Sequence, residues 1–215
     1  MDLYKKIEDM RARPAMYLGA LSIVRLRSFL NGYQMALCDF NLKENARDML
    51  LPLPFWFFHE YVAHRFDYYE STSGWCNMIL NQTGHDEEKG LQLFYALFDE
   101  FKQLEVSQCF DAKLNDSNIT HHLSDKSAPR MVTGKYLEIE EPLYKNPERV
   151  SYAELQNRNH KSYICIIHTK TESIFERKLY KSEKDLLSYF KNCFGKISWQ
   201  EQNPKDIKLN KTVSV

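Results

Sequence analysis

Two histidines on one predicted helix are the residues whose spacing first suggests chemistry. His59 and His64 flank Glu60 in an order similar to the helix of a zinc protease. That metal site needs histidines four residues apart, about 40° around the helix, whereas a spacing of five places the rings about 140° apart. We therefore predict no metal site and no cofactor here, with one histidine near the core edge and the other solvated beside Glu60.

The other cysteines and histidines that could act as a nucleophile or a base are not expected to form a catalytic pair. Cys165 and His168 lie three apart on one predicted strand, so their side chains point to opposite faces. His121 and His122 lie in a polar stretch, where histidines are more often solvated than catalytic. Cys76 has the character of a buried thiol.

Motifs for nucleotide binding and acyl transfer are missing from the sequence. It contains no G-x-S-x-G elbow, no P-loop and no G-x-G-x-x-G, and its seven glycines never cluster. A cradle of backbone amides for phosphate is therefore not expected. We assign no catalytic residue.

The element that carries the two histidines is an aromatic helix within residues 53–75, a stretch with nine aromatic side chains. Helical spacing puts four apolar residues on one stripe, which consists of Phe55, Phe58, Val62 and Phe66.

The predicted helix that precedes the aromatic helix in the chain contains Gly32, which suggests close packing of that helix against a neighbour. We predict that the aromatic helix is the centre of an N-terminal helical bundle.

A second long helix is predicted from Asp86 onward, with an acidic exposed side. Its acidic positions are Glu87, Glu88, Asp99 and Glu105. Such a face would meet a basic partner, and we predict that these four residues bind a partner protein.

The periodicity changes from helical to alternating in the second half, which predicts an α+β fold. We expect a helical domain with an aromatic core over 1–110, a polar linker or loop over 111–130, a small antiparallel sheet with one covering helix over 131–200, and a tail over 201–215. The covering helix should begin at Ser182, which has the position of a capping residue.

Composition limits the class of protein. The sequence has 29 basic and 29 acidic side chains, with net charge −4 over residues 1–110 and +4 over 111–215. Five scattered cysteines are typical of buried thiols in a reducing cytosol, and no stretch has the length of a signal peptide core or a membrane span. We expect a cytoplasmic protein without membrane contact.

Residues 169–173 are predicted to close a hairpin, and a basic cluster near it could bind nucleic acid. It consists of Lys170, Arg177, Lys178, Lys181 and Lys184. Glu172, Glu176, Glu183 and Asp185 interleave with it, so a solvated ribbon is favoured and nucleic-acid binding is ranked last.

The residues Arg11–Gly19, RARPAMYLG, resemble the segment before the first ATP-site helix of type II topoisomerases. In that family the next helix carries a catalytic glutamate and a magnesium-binding asparagine. The helix here, LRSFLNGYQMAL, offers Asn31 but no glutamate, and the later glycine-rich lid motifs are missing. ATP hydrolysis is therefore not predicted.

The first half also resembles a group of small, uncharacterised cytosolic bacterial proteins that combine R-P-x-M-Y-L-G, F-L-x-G-Y and S-x-G-W. The corresponding segments are 13–19, 29–33 and 73–75, of which the last reads S-G-W and is one residue shorter than its motif. Such proteins resemble immunity or accessory proteins of toxin systems.

Two functions follow as expectations. The first is a non-enzymatic module that binds and occludes a bacterial toxin, in line with a surface rich in Tyr, Trp and Arg. The alternative is an enzyme or small-ligand receptor whose pocket is lined by Arg13, Tyr17, Trp75 and a histidine.

Overall fold

The structure, a computed structural model, describes residues 3–39, 50–68, 74–119, 130–132, 135–137, 147–170 and 173–204. The N-terminal part is helical: α1 Leu3–Ala12, α2 Pro14–Leu18, α3 Ile23–Asp39, α4 Phe57–Arg65, α5 Gly74–Gln82 and α6 Glu87–Lys102. Next come β1 Glu105–Lys113, β2 Arg130–Val132, β3 Lys135–Leu137, β4 Pro147–Asn157, β5 His160–Thr169, β6 Ser173–Tyr180, α7 Glu183–Phe194 and β7 Gln200–Gln202. The predicted α+β class is confirmed.

Local signals explain several helix ends. Pro14 begins α2, where its missing N–H is not needed, and Gly19 ends the same helix in the left-handed region at φ 71°. The Asp86 side chain accepts a hydrogen bond from the Lys89 N–H at the start of α6. Ser182 likewise accepts from the Asp185 N–H, so the predicted start of α7 is confirmed.

The main sheet has five antiparallel strands in the order β6-β5-β4-β1-β7, and β2 pairs separately with β3. The long β4–β5 hairpin runs from Pro147 opposite Thr169 to Asn157 opposite His160. Ser107 is an extra residue in β1, because Val106 lies opposite Leu155 and Gln108 opposite Glu154.

Buried side chains cover both faces of this sheet. One cluster joins residues of α1 and α3–α6 to Ala153, Leu155, Ile164 and Ile166 of the sheet. The second cluster joins the opposite face to α7, through Tyr152, Cys165, Phe190 and Phe194 among others. The sheet therefore lies between the N-terminal helices and α7, because alternate residues of each strand point to opposite faces.

The aromatic residues of α4 are the centre of the first cluster. Phe57, Phe58 and Tyr61 are fully buried. The ring of Phe58 lies 5.1 Å from Phe94 and 5.6 Å from Phe101, both on α6, at steep interplanar angles. Such edge-to-face pairs add to the stability that burial of the rings provides.

The structure differs from the sequence interpretation between residues 105 and 119. Glu105 starts a strand, which continues through Lys113 into the stretch expected to be a linker, and residues 116–119 are helical. Residues 120–129 lie outside the described part of the chain, as do 205–215 of the expected tail. In β1 only Cys109 and Ala112 are buried, which left too weak an apolar signal to predict a strand.

The expected close packing at Gly32 is not found among the described residues. None of their atoms would lie within 4 Å of a Cβ added at Gly32. The close approach occurs at Gly90 of α6, where an added Cβ would lie 3.0 Å from Cγ2 of Ile23. Gly90 therefore allows α6 to pack tightly on α3.

Candidate functional site

The residues predicted to bind a ligand have separate contacts among the described residues. Trp75 packs in the first core cluster, with ring centroids 5.0 Å from Phe94 and 5.8 Å from Phe58. Tyr17 carries the Lys6 ammonium 5.3 Å from its ring, and Arg13 is exposed before α2. Within the described residues, no hydrogen bond or ring contact joins Arg13, Tyr17 and Trp75.

The acidic residues predicted to bind a partner fall into two pairs at opposite ends of α6. Glu87 and Glu88 are exposed in its first turn, where Glu87 accepts a hydrogen bond from Ser22. Asp99 lies in the last turn and Glu105 opens β1. Eleven residues separate Glu88 from Asp99, which is roughly 16 Å along a helix. The four carboxylates therefore do not form one continuous face.

A groove lies beside the second pair, between the α6–β1 connection and the tip of the β4–β5 hairpin. Its lining residues are Lys102, Gln103, Leu104, Glu105, Gln156, Asn157 and Arg158. Its volume is about 640 Å³. Most of its lining is polar or charged, which is unlike the largely apolar pockets that bury small ligands.

The charges on the α6 side of the groove are tied together. Lys102 Nζ lies 3.0 Å from Asp99 Oδ1 and also contacts Glu8. Arg11 reaches the same aspartate, with Nη2 2.6 Å from Oδ2. The hydrogen bond from Arg11 holds the pKa of Asp99 below its ordinary value. Asp99 and Lys102 are thus largely neutralised.

Glu105 and Arg158 differ from these paired groups. Both are exposed, and neither has an ion-pair partner among the described residues. They line the same groove. The groove therefore presents one carboxylate and one guanidinium that are available to a partner.

A polar cluster of Tyr61, Arg65, Glu100, Asn157 and Asn159, here called the Glu100 cluster, holds the groove walls together. Glu100 Oε2 accepts from the Tyr61 hydroxyl at 2.9 Å and from Arg65 Nε at 3.0 Å, and Oε1 accepts from Asn159 at 3.1 Å. Asn157 donates to the backbone carbonyl of Glu100 at 2.7 Å. The end of α6 is thereby bonded to the hairpin tip.

The charge state of this cluster follows from its contacts. Burial opposes ionisation of Glu100, but hydrogen bonds from Arg65, Tyr61 and Asn159 outweigh it and hold the pKa of Glu100 below its ordinary value. Burial raises the pKa of Tyr61, so its hydroxyl stays a donor. An ionised Glu100 and a protonated Tyr61 suit the observed bond directions.

His64 and His160 meet behind this cluster, at the boundary of α4 and β5. Their ring centroids are 4.3 Å apart, and His160 Nε2 lies 2.9 Å from the Ser162 hydroxyl. Burial and the nearby His64 and Arg65 lower the pKa of His160 to about 3. His64 Nε2 is buried and has no hydrogen-bond partner among the described residues. Burial lowers the pKa of His64 as well, so the surroundings of both rings favour the neutral form.

The predicted separation of the two α4 histidines is confirmed. His59 lies 3.9 Å from the Glu60 carboxylate, whereas His64 packs on His160. Among the described residues, no group of three or more His, Cys, Asp or Glu side chains is arranged to hold a metal ion.

A second polar constellation lies at the other end of β4 and β5, and was not predicted. It is called here the His168 network and comprises Asp111, Arg149, Ser151, His168 and Ser173. Ser151 Oγ is 2.5 Å from Asp111 Oδ1 and 2.7 Å from His168 Nε2. His168 Nδ1 is 2.8 Å from Ser173 Oγ and 3.2 Å from Arg149 Nη2.

Arg149 determines the direction of every bond in this network. A guanidinium can only donate, so His168 Nδ1 must be the acceptor and Nε2 must carry the proton. Nε2–H then donates to Ser151 Oγ, and the Ser151 hydroxyl donates to Asp111. All the hydrogen-bonding atoms of the histidine are satisfied.

This arrangement disfavours nucleophilic catalysis at His168. Its basic nitrogen is occupied, and burial together with Arg149 lowers its pKa to about 3. Ser151 and Ser173 are 3% and 0% exposed, so a substrate has no access to either hydroxyl. The hydrogen bonds of the His168 network join β1, β4, β5 and β6 at this end of the sheet and so stabilise it.

Within the described ranges, no helix has the length and apolar character needed to cross a bilayer. Comparison of the sequence with protein-family models finds no match, and neither the curated proteins nor the solved structures contain one.

Proposed function

We propose that this chain is a non-enzymatic protein-binding module, of the immunity or accessory type that occludes a bacterial toxin, and that the groove is its docking surface. The observation that carries the proposal is a pair of exposed charges, Glu105 and Arg158, that line one polar groove and have no ion-pair partner among the described residues.

The remaining groove chemistry supports this assignment. Gln103, Gln156 and Asn157 offer amide donors and acceptors, as a polar protein interface requires. A partner that covers Glu105 and Arg158 must supply opposite charges, since burying either one unpaired would be unfavourable. The need for opposite charges at both positions makes the surface selective and also attracts a partner that carries them.

The proposed partner places a basic side chain at Glu105. Glu105 follows the last residue of α6, Lys102, by three positions, and a helix C-terminus carries partial negative charge. Of the four acidic residues expected from the sequence to bind a partner, the proposed docking surface therefore includes only the pair near the C-terminus of α6, Asp99 and Glu105.

We also infer that the protein works in the cytoplasm. Cys76, Cys109, Cys165 and Cys193 are all buried. Buried cysteines scattered without a C-x-x-C pair are typical of proteins kept in a reducing compartment.

The test is a pull-down of the tagged full-length chain from its native host at low salt, with mass spectrometry for proteins and small molecules. The variants are Glu105→Lys and Arg158→Glu, with Glu88→Lys as a matched control at the far end of α6. We expect a stoichiometric protein partner whose recovery falls about tenfold or more with either groove variant and is unchanged with the control.

Two results would overturn the proposal. Loss of the partner with Glu88→Lys but not with the groove variants would move the docking surface to the start of α6. A retained small molecule without any protein partner would favour a ligand receptor. Circular dichroism of each variant establishes that it is folded.

A further inference from the structure

Two exposed apolar side chains flank the turn between α2 and α3. Met16 is 62% exposed and Leu21 is 43% exposed. Among the described residues, the other exposed large hydrophobic side chain is that of Met35, which lies near the far end of α3. A single exposed apolar residue is ordinary on a protein surface, whereas apolar residues grouped inside a polar rim mark interaction sites. Met16 and Leu21 fit the second description, because basic side chains surround them.

The backbone holds the turn between these two side chains in one conformation. Gly19 is exposed and ends α2 in the left-handed region at φ 71°. A Cβ added there would lie 2.9 Å from Nη1 of Arg25. The same Nη1 donates to the carbonyl of Leu18 at 3.0 Å, so the first turn of α3 is bonded to the end of α2. Met16 and Leu21 are therefore presented by a fixed turn.

Three cations lie around this turn. Arg13 directly precedes α2 and Arg25 lies on α3, and both side chains are exposed. Neither arginine has an ion-pair partner among the described residues. Lys6 of α1 lies with its ammonium 5.3 Å from the centre of the Tyr17 ring, which is half-buried beside Met16. An acidic group brought to this turn would therefore meet two guanidinium groups that it could pair with.

The basic character of this surface contrasts with the rest of the N-terminal half. Residues 3–28 contain six basic and two acidic side chains, a net charge of +4, although residues 1–110 together have a net charge of −4. One of the two acids, Glu8, is already paired with Arg11 and Lys102. The other, Asp9, forms no ion pair with the described residues. The surface therefore attracts negative charge.

We propose that Arg13, Met16, Tyr17, Leu21 and Arg25, here called the α2 surface, bind an acidic protein segment that places apolar side chains against Met16 and Leu21. Methionine, tyrosine and arginine are the residue types that protein interfaces favour. The partner of the groove must supply a basic group at Glu105, whereas the α2 surface requires acidic groups. The inference therefore goes beyond the proposed function and assigns a second partner.

The size of the apolar pair favours a protein over a lipid bilayer as the occupant. Helices that bind at a bilayer surface bury a long apolar face among the headgroups. The helix α2 has five residues, and its apolar exposure is limited to the single side chain of Met16. Two apolar contacts inside a ring of arginines suit a small recess on an acidic protein.

The α2 surface and the groove lie toward opposite ends of α6. Ser22, which follows Leu21, donates a hydrogen bond to Glu87 in the first turn of α6. The groove begins at Lys102, the last residue of the same helix. Glu87 and Lys102 are fifteen positions apart, which is roughly 22 Å along a helix. The chain can therefore bind both partners at once.

Displayed random peptides provide a probe that does not require the natural partner. Peptides selected on the full-length chain are measured by fluorescence anisotropy against wild type, Met16→Ser and Arg13→Glu. The matched controls are Met35→Ser, another exposed methionine, and Lys191→Glu, an exposed cation on α7. We expect peptides that combine acidic and apolar residues. Met16→Ser and Arg13→Glu should each weaken their binding about tenfold or more, and the controls should leave it unchanged.

Two further measurements identify the contact. A bound peptide should protect backbone amides within residues 15–22 from hydrogen exchange. Raising the salt concentration should weaken binding to wild type more than binding to Arg13→Glu, because the variant has already lost one of the attractions that salt screens. Circular dichroism of each variant establishes that it is folded.

A groove variant separates this proposal from the proposed function. Glu105→Lys should leave peptide binding unchanged, because the groove is at the other end of α6. Loss of peptide binding with Glu105→Lys would place the peptides in the groove and overturn the α2 surface, while the groove would stand.

Three other outcomes would also overturn the proposal. The first is a selection that yields no peptides, or peptides that bind all variants equally. The second is binding of vesicles that contain phosphatidylserine by wild type but not by Arg13→Glu, without any peptide binding, which would identify a membrane as the occupant. The third is a concentration-dependent dimer that is lost in Met16→Ser, which would identify a second copy of this chain.

Discussion

The Glu100 cluster and the His168 network lie at opposite ends of the β4–β5 hairpin and use similar polar groups in different ways. The histidine of the His168 network is 1% exposed and bonded at both nitrogens. The Glu100 carboxylate is 26% exposed, and its cluster borders a groove with unpaired charges. A buried network whose hydrogen-bonding atoms are all paired stabilises the fold. A partly exposed network beside a groove can also hold a binding surface in place.

The largest effect should come from removing the centre of the closed network. His168→Ala leaves Ser151, Ser173 and Arg149 without their common partner and creates a cavity. We expect the free energy of unfolding to fall by about 3 kcal/mol or more. Urea denaturation measures this loss. A change below about 1 kcal/mol would show that the network can rearrange around the missing ring.

The next effect is the dependence of stability on pH. His168 and His160 have folded-state pKa values of about 3, against an ordinary value of 6.5. Below pH 6.5 the unfolded chain binds protons that the folded chain does not, so stability falls as pH is lowered from 6.5 toward 3. Each histidine should contribute a slope on the order of 1 kcal/mol per pH unit.

Single variants separate the two histidines. In His168→Gln and in His160→Gln, the loss of stability between pH 6.5 and pH 5 should be smaller than in wild type, measured by denaturation at each pH. An unchanged pH dependence in both variants would show that neither ring stays neutral in the folded chain.

A smaller effect is expected from Glu100→Gln at the open end. The variant keeps the size of the side chain but removes the charge that Arg65 and Tyr61 contact, and we expect a loss of about 1–2 kcal/mol. A double-mutant cycle with Arg65→Met isolates the pair. Additive losses in the cycle would mean that the two side chains are not coupled.

The same variant distinguishes a positioning role from a purely structural one. Because the Glu100 carboxylate accepts from Tyr61, Arg65 and Asn159, replacing it with an uncharged amide should loosen the contact between α6 and the hairpin tip and weaken partner binding. His168→Gln, at the closed end, should lower stability without changing partner affinity. Equal effects of both variants on affinity would contradict the contrast between the two ends.

The helical part of the fold could be predicted because its signals are local. Phe58 and Val62 of the predicted stripe lie within α4, and the predicted capping residue Ser182 stands directly before the helix that it begins. Close packing could not be predicted in the same way. Gly32 and Gly90 are both helical glycines, and the approach of Ile23 and Leu80 from other helices distinguishes Gly90.

The polar sites could be predicted only in part. Asp99 and Glu105 were identified as exposed acids, but the opposite wall of the groove comes from residues more than fifty positions later. The His168 network combines Asp111, Arg149 and Ser173 across β1, β4 and β6. The pairing register of the strands brings these residues together, and this register cannot be deduced from the spacing of residues in one sequence.

The smallest effect concerns matched truncations at the two ends of the hairpin. Asn159→Ala removes an exposed amide that donates to Glu100, and we expect a loss of about 0.5 kcal/mol. Ser173→Ala removes a fully buried hydroxyl that bonds to His168, and should cost about 1–2 kcal/mol. Partner affinity should show the reverse order, because Asn159 helps to fix the tip that carries Arg158. If Ser173→Ala weakens the partner more than Asn159→Ala does, binding takes place at the closed end, and the division between the two networks is wrong.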